Sequence, residues 1–156
     1  MQDFHDSKPL AVPKNNGFTA AYSLLRPPRS FGRMAANILL VEDDLLIREL
    51  ISKVLRQEGH RIVEASDGAV AQEKLQMLQF DLVITDVVMP KLNGIMLVEQ
   101  LRTLQPRLPI IFITGYFSVI SDKPMLSNMT VVLPKPFELG VLRSTVQRLL
   151  RDSAPC

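Results

Sequence analysis

Four short apolar runs punctuate this chain, and each ends on a polar residue of a different kind. Asn37-Ile38-Leu39-Leu40-Val41 runs into Glu42-Asp43-Asp44, and Leu82-Val83-Ile84-Thr85 into Asp86. Ile110-Ile111-Phe112-Ile113 ends on Thr114, and Val131-Val132-Leu133 ends, after Pro134, on Lys135. Unbroken apolar runs of this length leave no face for water. Set between helical patterns, they predict an α/β protein whose parallel strands are covered on both sides. In an open parallel sheet, ligands bind beyond the carboxyl ends of the strands. The acid cluster, the lone aspartate, the hydroxyl and the lysine are therefore expected on one edge.

The intervening segments carry the helices. Residues 44–57 place Leu46, Leu50 and Val54, and also Ile47 and Ile51, at i, i+4 spacing, with Gly59 as the C-terminal stop. Arg61-Ile62-Val63-Glu64 is a short additional strand, and Asp67 caps a helix through Ala71, Leu75 and Leu78. The strand at 81–85 leads into a loop at 86–94, where Pro90 and Asn93-Gly94 supply turn chemistry. A helix through Leu97, Leu101 and Leu104 stops before Pro106, a strand follows at about 109–114, and Leu139, Leu142, Val146 and Leu149 mark the last helix.

Residues 115–129 form the weak element. Gly115, Ser118, Ser121, Pro124 and Ser127 oppose a long helix, and Pro124 fits only the first turn of a short one capped by Ser121 or Asp122. A short helix cannot bury Tyr116, Phe117, Val119 and Ile120 together, so some of them are expected in a partner-binding patch.

A length of 156 residues suits one domain and an extension. Residues 1–36 contain Pro9, Pro13, Pro27, Pro28 and Asn15-Asn16-Gly17 without sustained periodicity, and read as a disordered extension. Met34 offers an alternative start directly before the first strand. The folded domain is expected at 37–151, residues 152–156 form a tail, and no second domain is expected after it. The extension holds five basic and two acidic side chains, the remainder thirteen and fourteen, so the basic character belongs to the extension. This argues against nucleic-acid binding by the folded part. The one cysteine, Cys156, is the last residue, which excludes a disulfide framework and suits a reducing, cytoplasmic compartment. No apolar run approaches a membrane span, and the opening Asp3 and Asp6 do not suit a signal peptide.

Acidic residues before a helix ordinarily cap it, and Asp44 reads that way. Glu42 and Asp43 end a buried strand, where charge is costly unless paired or metal-bound. Converging carboxylates repel one another, and a hard divalent cation such as Mg²⁺ relieves the repulsion. Asp86 lies between apolar neighbours, unlike a solvated turn residue. Beside Mg²⁺ its carboxylate is suited to attack a phosphoryl donor. Such transfer needs positioning and charge neutralisation, to which Lys135 brings an ammonium and Thr114 a hydroxyl. Each residue alone has a plainer reading as a turn, strand-end or loop residue. Four matching strand ends are hard to reach by chance.

Ile38-Leu39-Leu40-Val41-Glu42-Asp43-Asp44, the segment from Asp81 through Val87-Val88-Met89-Pro90 to Gly94, Phe112-Ile113-Thr114-Gly115 and Leu133-Pro134-Lys135-Pro136-Phe137 together resemble a two-component response-regulator receiver domain. The resemblance covers Asn37 to about Arg151. It implies a flavodoxin-like, doubly wound sheet of five parallel strands in the order 2-1-3-4-5 with five helices. It also implies Asp86 as acceptor of a phosphoryl group from a histidine kinase or a histidine phosphotransfer protein. Asp43, Asp86 and the backbone carbonyl of Val88 would ligate Mg²⁺, and Glu42 would act mainly through a metal-bound water. Thr114 and Lys135 would contact the phosphoryl group, and the Lys135-Pro136 peptide would be cis. A downstream protein would dock on the face made by the fourth helix, fifth strand and fifth helix.

Two positions depart from the common pattern. Val132 stands where many relatives carry an aromatic switch residue, so signalling without an aromatic rotamer flip is expected. Val88 is apolar where many relatives are polar. The chain reads as a single-domain regulator acting by protein contact or phosphorelay, and not as an enzyme beyond its own phosphorylation and dephosphorylation. Competing readings are the terminal receiver of a hybrid kinase and a degenerate receiver that only binds. An aspartyl-phosphate hydrolase is disfavoured, because that chemistry needs a second acid two residues after the nucleophile, where Val88 stands.

Overall fold

The structure is a computed structural model and describes residues 35–120 and 129–154. In chain order the elements are β1 (Asn37–Val41), α1 (Leu45–Gln57), β2 (Arg61–Ala65), α2 (Gly68–Met77), β3 (Leu82–Asp86) and α3 (Gly94–Leu104). There follow β4 (Ile110–Thr114), a 3₁₀ turn (Phe117–Val119), β5 (Thr130–Pro134) and α4 (Leu139–Asp152). The five strands form one parallel sheet in the order β2-β1-β3-β4-β5, as the resemblance implied.

The apolar runs are continuous because each strand feeds two cores. Leu39, Val41, Val83, Ile110 and Phe112 pack on one face with Ala71 of α2 and Leu97, Val98 and Leu101 of α3. Ile38, Leu40, Leu82, Ile84, Ile111 and Ile113 pack on the other with Ile51 and Leu55 of α1 and Leu142, Val146 and Leu149 of α4. Successive residues alternate between the faces, as the pleat requires, and both faces are apolar because helices cover both.

Polar side chains set the helix starts. The Asp44 carboxylate accepts from the amides of Leu46 and Ile47 at 2.9 and 3.0 Å, and Asp67 does the same for Ala69 and Val70, both at 3.0 Å. Asn93 accepts from the amide of Met96 at 2.9 Å. Gly59, at φ +91°, ends α1 in the left-handed conformation that its missing Cβ permits.

Of the two apolar lines on α1, that of Leu46 and Leu50 faces solvent, and the buried line is Ile51 and Leu55 with Ile47 beside it. Both lines satisfy i, i+4 spacing, so periodicity alone does not choose between them. The third strand begins and ends one residue later than expected and includes Asp86. Among the described residues four α-helices, not five, are present; of the segment in which the fourth was expected, they include the 3₁₀ turn at Phe117–Val119. Ser121, Asp122 and Pro124, on which that helix was expected, lie outside the described residues, as do Met34, Cys156 and residues 1–34. Tyr116, Phe117 and Val119 are exposed and Ile120 is buried, in line with the limited burial expected there. Among the described residues no helix is long and apolar enough to cross a membrane.

Candidate functional site

The sheet reverses its winding at β1, which lies between β2 and β3. The crevice at such a switch point is where doubly wound sheets bind ligands. Val41 pairs with Thr85, so Glu42 and Asp43 emerge beside Asp86. On the other side, Asp86 pairs with Ile113 and Thr114 with Pro134, which brings Lys135 to the same edge.

Carboxylate oxygens of Glu42, Asp43 and Asp86 lie within 4.8 Å of one another. Glu42 and Asp86 are buried and Asp43 is exposed. The Lys135 ammonium bridges the two buried acids, at 2.9 Å from Glu42 Oε2 and 2.7 Å from Asp86 Oδ2. Asp86 Oδ1 accepts from the amides of Val87 and Val88 at 2.5 and 3.2 Å. Glu42 Oε1 accepts from the Asp44 amide at 3.1 Å. Both acids are thus held by donors while one edge of the cluster stays open at Asp43.

Burial pushes the Glu42 carboxyl up, against hydrogen bonds from Lys135 and the Asp44 amide that favour its charged form. Burial pulls the Lys135 ammonium down, but hydrogen bonds to Asp86 and Glu42 outweigh it and leave its pKa raised. Lys135 therefore stays charged within the cluster. Three carboxylates against one ammonium leave an excess of negative charge, carried entirely by hard oxygen donors. That donor set fits a divalent cation of the Mg²⁺ type.

Thr114 is fully buried. Its hydroxyl oxygen accepts from the Tyr116 amide at 3.0 Å, and its carbonyl accepts from the Lys135 amide at 2.8 Å. The lysine and threonine are therefore tied through the backbone. The Lys135-Pro136 peptide is cis, as the resemblance implied. The Val88 side chain is exposed at the rim. Asp44 is outside the carboxylate cluster and occupied as the α1 cap.

Residues 38–147 match the family model described as the response regulator receiver domain. The chain belongs to the response regulator receiver family. Among its relatives is the response regulator receiver protein CpdR of Brucella abortus, 38% identical over 72% of this chain and 95% of that one. The sensor kinase CckA of the same organism is 34% identical over 74% of this chain, which spans 13% of the kinase. Among solved structures, response regulator protein TrrA from Thermotoga maritima, in complex with Mg²⁺-BeF, is 33% identical over 72% of this chain and 97% of that one, with a TM-score of 0.66.

The receiver contains site-supporting residues that the sequence reading passed over. Arg48 donates to the Glu42 carbonyl at 2.6 Å. Lys91, at φ +68° in the loop after Asp86, reaches back to Asp67 at 2.9 Å. A signal for Arg48 was available: Arg48, Ser52 and Arg56 form an i, i+4 stripe on α1, and all three approach Glu64 of β2. Nothing in the sequence around Lys91 announces its contact.

Proposed function

We propose that this receiver accepts a phosphoryl group on Asp86 from a histidine kinase or a histidine phosphotransfer protein, in a Mg²⁺-dependent reaction. The observation that carries the reading is the Lys135 ammonium bridging Asp86 and Glu42 beside Asp43. In the transfer, the phosphorus–nitrogen bond to the donor histidine breaks as a phosphorus–oxygen bond to the Asp86 carboxylate forms, and the imidazole leaves. Lys135, already on Asp86 Oδ2, pairs with a phosphoryl oxygen. The Thr114 hydroxyl donates to another. Asp43, Asp86 and the Val88 carbonyl would hold Mg²⁺, with Glu42 acting mainly through water, and the ion would supply charge neutralisation at the phosphoryl oxygens. TrrA, solved with Mg²⁺-BeF, supports this assignment.

The reading extends to a single-domain, cytoplasmic regulator, with residues 37–151 as its working part, acting by protein contact or phosphorelay and not on nucleic acid. The coverage of CpdR supports the stand-alone form, whereas the likeness to CckA favours the second reading, a receiver within a hybrid kinase. Its catalysis is confined to its own phosphorylation and dephosphorylation. The downstream partner docks on the face made by residues 115–120, β5 and α4, where Tyr116, Phe117 and Val119 are exposed. Val132 packs into the core beside Phe112, so the change on phosphorylation passes through the backbone after Thr114 and not through a swinging ring.

Intact mass after incubation with acetyl phosphate tests the chemistry. One phosphoryl adduct is expected with Mg²⁺ and none with excess EDTA; absence in both samples, or equal yield in both, refutes it. Hydrogen exchange with and without beryllofluoride tests the signalling face. Protection is expected to change at 115–120 and 129–134, and changes confined to other segments exclude this route.

A further inference from the structure

We propose that Arg48 is a positioning residue for the acid cluster, holding the Glu42–Asp43 peptide in the orientation that lets the three carboxylates converge. The inference rests on the Mg²⁺ reading above and adds to it a residue that never touches the metal or the phosphoryl group.

Arg48 lies one turn into α1, and its side chain is only 14% exposed. Its NH1 donates to the Glu42 carbonyl at 2.6 Å. That carbonyl belongs to the same planar unit as the Asp43 amide, so its direction sets where Asp43 stands. The Glu42 amide is fixed from the other side, donating to the Ala65 carbonyl at 3.1 Å. The residue before the exposed acid is thus held at both its N–H and its C=O. Asp43, the exposed member of the cluster, has its position determined largely by that unit.

Arg48 is itself aimed by Glu64. Its Nε lies 3.6 Å from Glu64 Oε2, while Glu64 Oε1 accepts from Ser52 Oγ at 2.7 Å and Arg56 NH2 at 3.0 Å. Glu64 stands opposite Leu40 in the β1–β2 register, so the support comes from the strand flanking the site. Arg48 also differs from Lys135 in what a cation does to it. Lys135 binds the cluster carboxylates directly and competes with an incoming cation. The described partners of Arg48 are a carbonyl and Glu64, so it stays in place while metal enters and leaves. A group that only orients the donors changes metal affinity without being a ligand.

A plainer role, fastening α1 to β2, must be separated from this one. Mg²⁺ titration by calorimetry on the full chain does so, using wild type, Arg48→Met, Arg48→Lys, Glu64→Gln and Arg56→Gln, with thermal unfolding of each in the absence of metal. Arg48→Met is expected to weaken Mg²⁺ about tenfold. Arg48→Lys, which keeps a donor for the carbonyl, should recover part of the loss. Glu64→Gln should weaken binding in the wild-type background and add little in the Arg48→Met background. Arg56→Gln also removes a Glu64 partner but leaves Glu42 untouched, and should bind as wild type whatever its unfolding temperature.

Wild-type affinity in Arg48→Met overturns the proposal, as does an equal loss in Arg56→Gln. If Arg48→Met does not fold, Glu64→Gln carries the same test, because it leaves Arg48 present but unanchored. Absence of Mg²⁺ binding in wild type overturns the Mg²⁺ reading and this proposal together, whereas wild-type binding with an unaltered Arg48→Met overturns this one alone.

Discussion

Asp86→Asn is expected to reduce phosphoryl uptake from acetyl phosphate and Mg²⁺ to nothing measurable, while the protein stays folded. The loss follows from chemistry at one atom. A carboxylate attacks phosphorus because it carries charge and a free lone pair, and a carboxamide oxygen lacks the nucleophilicity. No other acid at this edge is equivalent. Glu42 is buried against Lys135 and the Asp44 amide, and Asp43 stands on the open rim. Asp86 alone ends the central strand with two backbone amides on one oxygen and the ammonium on the other. The fold survives because the amide oxygen still accepts from Val87 and Val88, and Lys135 keeps Glu42 as its partner. Removing one of three converging charges also relieves repulsion that offsets the lost ion pair. The unfolding free energy should therefore move by no more than about 1 kcal/mol. Intact mass and circular dichroism on the same sample check both halves. An adduct at wild-type level in Asp86→Asn would transfer the acceptor role to another carboxylate and end the present assignment.

The strands were legible because their burial leaves one reading. Ile38 to Val41 and Ile110 to Ile113 have no polar side, and only a sheet covered on both faces accepts that. The four edge residues were legible for the same reason, since each follows directly on such a strand. Helix faces were less so. On α1 the lines through Leu46 and Leu50 and through Ile47 and Ile51 are both apolar, and the sheet, not the helix, decides which is buried. Arg48, for all its place in the α1 stripe, and Lys91 could not be matched to their partners from the sequence. Their partners are Glu42 and Glu64 in one case and Asp67 in the other, brought to them by the fold and not by local pattern. The Thr114 hydroxyl is a further instance: the sequence places it at the edge, but its acceptance of the Tyr116 amide depends on the turn that follows.

Gly94→Ala is expected to destabilise the protein by about 3 kcal/mol, the upper part of the range for overpacking in a tight site. A Cβ at this position would stand 1.9 Å from the Asp86 carbonyl oxygen and 2.9 Å from Thr85 Oγ1. The first is backbone at the end of the central strand and cannot rotate away. The loop must lift instead, and two attachments resist it. The Gly94 amide donates to the Val87 carbonyl at 3.0 Å, and Lys91 is tied to Asp67 at 2.9 Å. Gly68, where a Cβ would stand 2.4 Å from the Leu92 carbonyl oxygen, shows that the same loop is pressed from its other side as well. Any shift that accommodates the methyl group moves the backbone of Asp86 or Val87, so phosphorylation should fall along with stability. Gly140→Ala provides the opposite case. Gly140 lies in α4 with nothing within 4 Å of the added Cβ. There, in the first turn of the helix, the same chemical change should cost nothing and add at most about 0.5 kcal/mol through helix propensity. Urea unfolding of both variants checks the pair. A loss below about 1 kcal/mol in Gly94→Ala would mean that the loop yields easily, and that close approach at this glycine does not hold the Asp86 backbone in place.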